Sequence, residues 1–172
     1  MSGARKLRSQ DLRRHRRPAP HSCSDHLIAA PLWVAYTANL GTLLRTCDAI
    51  AACLAVPATD HYRSALSIGD TLRRRPCIHW LGTGKLSWLE HHRRIGSRIL
   101  AVELAEDATP LTRLEPARGR TVVLLGHEHD GVPEEAWGLV DDVVEIPMVG
   151  HGASLNVAVA GSLVLYRLAG LA

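Results

Sequence analysis

The chain has 172 residues, 47% of them apolar, and a formal charge of +3. That length suits one well-packed domain and is short for two. No apolar run reaches the ~20 residues of a membrane span and the N-terminus lacks the apolar stretch of a secretory leader, so a soluble, cytoplasmic chain with no membrane partner is expected.

Residues 1–26 are charged, carry Pro18 and Pro20, and show little periodicity. They are expected to form a flexible basic arm ahead of a domain spanning 27–172. Residues 1–17 hold seven Arg/Lys against one Asp, and residues 63–98 hold eight against two acids. Residues 99–172 reverse the balance, with four basic and eleven acidic side chains. A basic side of this kind suits phosphate, although solvated basic tails are common.

From Pro31 the pattern changes. Leu32 to Tyr36 is a short apolar run fit for a buried strand. Asn39 is placed to cap a helix bearing Leu40, Leu43, Leu44 and Cys47 at helical spacing. Ala51 to Val56 reads as the next strand, Ser64 to Ile68 as a helical turn, and Cys77 to Leu81 as a third strand. Lys85 to Arg94 is expected to be helical with Leu86, Leu89 and Trp88 inward. Strands follow at Arg98–Leu104, Thr121–Leu125 and Val143–Ile146. A short helix is expected over Glu134–Val140 and a long one over Ser154–Leu171. The alternation predicts an α/β domain with a mostly parallel sheet flanked by helices.

The four cysteines are Cys23, Cys47, Cys53 and Cys77. Cys23 lies between His21 and His26, but a second pair at zinc-finger spacing is missing, so free thiols and no metal are expected. Gly82-Thr83-Gly84-Lys85 fails as a phosphate loop, because His79 holds the first glycine position and Leu86 the Ser/Thr position. No GxGxxG follows the first strand and no GxSxG elbow exists.

Three segments remain. In Asn39-Leu40-Gly41-Thr42-Leu43-Leu44-Arg45, the Asn and Arg are six apart at a helix start and are expected to point in related directions. An Arg there needs a partner, with Asp48 one turn on as the local alternative. In Leu125-Gly126-His127-Glu128-His129-Asp130-Gly131, the glycines allow close backbone approach and a positive-φ turn. Glu128 suits an amine, a hydroxyl or an Arg; otherwise it caps the next helix. His127 and His129 read as solvent-facing or supporting. In Ile146-Pro147-Met148 through Ser154-Leu155-Asn156-Val157, Pro147 stops a strand, Ser154 is placed to cap the last helix, and Asn156 falls in its first turn. That helix is apolar on most faces, as for a buried or subunit-packed helix. Both loops follow buried strands, where open α/β sheets bind ligands.

These three segments, in this order, resemble the signature motifs of the SpoU/TrmH branch of the SPOUT RNA methyltransferases. The resemblance runs from about residue 32 to the C-terminus and leaves out residues 1–26. It implies a C-terminal deep trefoil knot, a feature too rare to infer from general topology. It implies S-adenosylmethionine as methyl donor, held near Leu125, Gly126, Ile146, Met148, Ser154 and Leu155, with no metal. It implies a homodimer through the last helix, and methyl transfer to a ribose 2′-hydroxyl of RNA, either tRNA or rRNA. Arg45 would be the central catalytic residue with Asn39 beside it, and Glu128, Ser154 and Asn156 would organise the pocket. An arginine pKa of roughly 12 or more favours a phosphate clamp over a general base. The alternative is a non-catalytic RNA-binding protein of the same fold.

Overall fold

In the computed structural model the described residues are 26–68, 77–82, 84–152 and 154–172. The basic arm predicted over residues 1–26, with His21 and Cys23, therefore lies outside them except for His26. Seven strands form one sheet: β1 (Leu27–Ala30), β2 (Cys53–Pro57), β3 (Ile78–Leu81), β4 (Arg98–Val102), β5 (Thr109–Pro110), β6 (Thr121–Leu124) and β7 (Asp142–Glu145). Five helices join them: α1 (Thr37–Ile50), α2 (Asp60–Ile68), α3 (Lys85–Arg94), α4 (Glu134–Trp137) and α5 (Val157–Leu168). The strand order is β3-β2-β1-β6-β4-β7-β5. Every pairing is parallel, which requires crossovers between strands and apolar cover on both faces.

Side-chain alternation sorts the core. Ala29, Leu54, Leu100, Val123 and Val144 point to the face that carries α1 and α5. Ile28, Cys53, Ala55, Ile99, Val122 and Leu124 point to the other, against Leu89 of α3 and Ala136 of α4. α5 lies close on α1 because Gly161 has no side chain: a Cβ there would sit 2.7 Å from Leu125 Cδ1 and 3.1 Å from Leu43 Cδ2.

The first strand falls earlier than the apolar run suggests. It spans Leu27–Ala30, and Pro31, which has no N–H for a ladder, ends it. Residues 32–36 form a bend and loop instead, with Leu32 and Val34 buried and Ala35 and Tyr36 exposed. The Tyr62 hydroxyl lies 3.2, 3.1 and 3.0 Å from the carbonyl oxygens of Pro31, Leu32 and Val34. The predicted helical turn at 64–68 is the end of a longer helix, α2. The last helix starts at Val157 and ends at Leu168, so the 146–156 segment is loop. The helix expected over 134–140 stops at Trp137. β5 and the 3₁₀ turn Leu111–Arg113 were not legible from periodicity. Among the described residues no helix is long and apolar enough to cross a membrane.

Candidate functional site

β1, β4, β6 and β7 are parallel, so their carboxyl ends open on one edge of the sheet. The loops beyond three of them meet the start of α1 and the start of α5. After β6 the chain folds on itself: His127 N–H donates to Gly131 O at 2.8 Å and Gly131 N–H to His127 O at 2.9 Å. Gly131 holds φ +69°, as its turn position predicts. Gly126 lies so close to this turn that a Cβ would collide with the carbonyl group of Gly131 and the backbone nitrogen of Val132. Only glycine fits there.

The closed turn presents Glu128 to the segment leading into α1. Its carboxylate accepts from Ala35 N–H and Tyr36 N–H, both at 3.0 Å, and from the Asn39 amide at 2.7 Å. Partial burial opposes ionisation, but the bonds from Ala35, Tyr36 and Asn39 outweigh it and hold the carboxyl below its ordinary value of 4.5. The same charge adds to burial in pushing the Tyr62 hydroxyl up to about 12, with burial the larger cause. The carboxylate does not cap the following helix, α4; it holds the segment entering α1, through Ala35 N–H and Tyr36 N–H ahead of that helix and the Asn39 amide in its first turn.

Asn39 is therefore not the helix cap. α1 begins at Thr37, its N-cap position is Tyr36, and Asn39 sits buried in the first turn. Its other amide atom, Oδ1, accepts from Asn156 Nδ2 at 2.9 Å. Asn156 in turn caps α5, its Oδ1 accepting from Ala158 N–H at 2.9 Å and Val159 N–H at 3.2 Å. The cap is thus Asn156 and not Ser154, which stands exposed two residues before it. Glu128, Asn39 and Asn156 form one polar chain that joins the three signature segments.

Arg45 does not point with Asn39. Six residues at 100° each place it about 120° around the helix and ~9 Å along it, and it is exposed where Asn39 is buried. The burial that seemed to demand a partner is absent. Arg45 stands exposed on α1.

Beside this chain lies an open cleft of about 130 Å³, lined by Val102, Glu103, Leu104, Ile146, Met148 and Leu155 among others. Ser154 also lines it. Four predicted cofactor contacts, Ile146, Met148, Ser154 and Leu155, thus converge. Leu125 and Gly126 do not line it: Leu125 is fully buried in the core beneath α5, and Gly126 packs on its own loop. The outer wall is exposed, with Met148 at 42% and Leu155 at 38%. Glu103 escaped the sequence reading because β4 was extended through it. It follows the last strand residue and accepts from Val132 N–H at 3.2 Å and Leu104 N–H at 3.3 Å. A carboxylate directly after a buried parallel strand was the available signal.

A model of the SpoU rRNA Methylase family matches residues 33–166. The tRNA (guanosine(18)-2′-O)-methyltransferase of Escherichia coli K12 is 31% identical over 141 residues, 75% of this chain and 56% of that protein. The enzyme of the same description from Thermus thermophilus is 33% identical over 137 residues, 75% of this chain and 66% of that one. The chain thus spans little more than half to about two thirds of these relatives. Among solved structures, the AdoMet-bound rRNA methyltransferase from Sinorhizobium meliloti superposes with a TM-score of 0.68 at 24% identity, covering 87% of this chain and 57% of that one.

Proposed function

The chain belongs to the SpoU rRNA methylase family, and from that premise we propose that it transfers a methyl group from S-adenosylmethionine to a ribose 2′-hydroxyl of tRNA or rRNA. The single observation that carries this reading is the Glu128–Asn39–Asn156 chain. It fastens the first turn of α1, the helix that bears Arg45, to the loop after β6 and to the end of the loop that borders the cleft.

The cleft residues suit the cofactor's chemistry. Val102, Ile146, Met148 and Leu155 offer apolar surface to a purine, and Glu103 and Glu145 offer carboxylates to a cationic end. When bound there, S-adenosylmethionine supplies a methyl group activated by its positive sulfur. The residues of the chain then chiefly supply alignment. Transfer would form a bond from the ribose 2′-oxygen to the methyl carbon as the carbon–sulfur bond breaks, the sulfur keeping that electron pair, and the hydroxyl proton would pass to solvent water. Arg45 clamps an RNA phosphate beside the cleft, aligns the ribose and favours the developing alkoxide. Its own high pKa makes it unsuited to accept the proton. Asn39, Glu128 and Asn156 are positioning residues, since they act through the backbone they hold. Ser154 stands exposed on the cleft wall and contacts the cofactor directly.

Two further features belong to this reading. The loop between β7 and α5 takes the chain back across the sheet to pack on α1 and β1, which supports a trefoil knot in the C-terminal part. Val159 and Leu163 of α5 stay 46% and 42% exposed, which supports a homodimer through that helix; light scattering would give its mass. The protein is proposed to act in the cytoplasm, with the basic residues 1–26 as an RNA-binding arm. Incubation of the full chain with methyl-labelled S-adenosylmethionine and total RNA tests the activity. The expected product is a 2′-O-methylated nucleoside, identified by mass spectrometry after digestion. Label that enters no RNA fraction, or only bases, would reject the proposal.

A further inference from the structure

At the other end of the sheet, three soft ligands meet. Cys53 opens β2, Cys77 directly precedes β3, and His79 is the second residue of β3. The parallel register pairs Leu54 with Ile78 and Ala55 with His79. One step back, Cys53 comes beside Cys77, and alternation puts Cys77 and His79 on the same face. Their Sγ and imidazole nitrogen atoms all lie within 4.8 Å of one another, with Cys77 Sγ 3.2 Å from His79 Nε2.

We propose that Cys53, Cys77 and His79 bind a structural zinc ion. Zinc–sulfur and zinc–nitrogen bonds of about 2.3 and 2.0–2.1 Å imply tetrahedral edges of about 3.6 Å from S to N and about 3.8 Å from S to S. The observed spacing reaches that set with shifts of well under an ångström at the Cys77–His79 edge. Two thiolates and one imidazole are the donor class that zinc prefers over harder ions. The described residues supply three donors, and the fourth position of the tetrahedron is left to water or a further ligand.

The surroundings fit a structural ion. Cys53 is fully buried, and Cys77 packs against the apolar cluster of Ile28, Leu89 and Val122. Two thiolates cancel the charge of a divalent ion, so the site costs little to bury. The strands run parallel, so the N-terminal ends of β2 and β3 lie at the opposite edge of the sheet from the cleft. β3 is a four-residue strand that, among the described residues, pairs only with β2. An ion here fastens that edge and takes no part in methyl transfer.

The test uses the full chain without a polyhistidine tag, kept reduced and dialysed, with metal content measured by mass spectrometry. About one zinc per chain is expected, and cobalt added to the stripped protein should give a thiolate charge-transfer band. Cys77→Ser and His79→Gln, both at half-buried positions, should keep the helical circular dichroism. Each should weaken zinc binding by more than about 100-fold, beyond the loss of an outer contact. Absence of zinc together with no cobalt band overturns the proposal. So does zinc bound equally by both variants, or a Cys53–Cys77 disulfide in the intact mass of protein purified without reductant.

Discussion

Replacing Asn39 with Ala tests whether the three loops behave as one unit. The substitution removes the 2.7 Å bond to the Glu128 carboxylate and the 2.9 Å bond from Asn156. A hydrogen bond to a charged group contributes about 1.5–3 kcal/mol and a neutral one about 0.5–1.5 kcal/mol. The loss should therefore be about 2–4.5 kcal/mol by urea unfolding at fixed protein concentration. Asn156→Ala removes the shared bond and also the cap on Ala158 and Val159, a further loss of about 1 kcal/mol. The double variant should be less destabilised than the two added together, by about 0.5–1.5 kcal/mol, because the shared bond is broken only once. A coupling below about 0.3 kcal/mol would show that the two amides act independently. The polar chain would then be three separate contacts.

Three other outcomes follow from the same structure. Arg45→Ala should leave cofactor affinity and the far-ultraviolet circular dichroism unchanged, because the side chain is exposed, and should lower methyl transfer by at least about 100-fold; near-normal turnover would remove Arg45 from the mechanism. Gly126→Ala should cost about 1–3 kcal/mol or more, since its Cβ meets backbone that cannot swing aside, and S-adenosylmethionine affinity by calorimetry should fall with the displaced loop; wild-type stability and affinity would contradict the packing. Glu128 has a folded pKa below its ordinary 4.5, so its stabilising contribution is complete above that value and disappears as pH falls through the lower folded pKa. Glu128→Gln should therefore unfold with a shallower dependence on pH below about 4.5, and an unchanged slope would mean that its carboxylate adds nothing.

Most of the sheet was legible because strands such as β2, β4 and β6 are apolar runs bounded by Gly, Pro or charge; β1 and β5 were not. What misled at the first strand was hydrophobicity without register: Leu32 and Val34 are as buried as strand residues, but they fill a turn whose carbonyls lean on Tyr62. The site was legible as a set of segments and poorly legible as geometry. Asn39, Glu128 and Asn156 are partners across 89 and 117 positions, and no local pattern encodes such a meeting. Capping preference points to Ser154 with Asn156 in the first turn, whereas the helix begins at Val157 and makes Asn156 the cap. The six-residue spacing of Asn39 and Arg45 was read as proximity when helical rotation makes it divergence.

The place of β6 has a consequence for how the chain reaches this fold. β6 pairs with β1 on one side and β4 on the other, so the sheet has no continuous path from β1 to β4 until residues 121–124 arrive. During synthesis, three strands and two helices on one side, and β4 on the other, must await a central member made late. Such non-local closure is slow, and the unpaired flanks of β1 and β4 are exposed in the meantime. The Asn156 to Asn39 bond can form only once the final helix has reached α1.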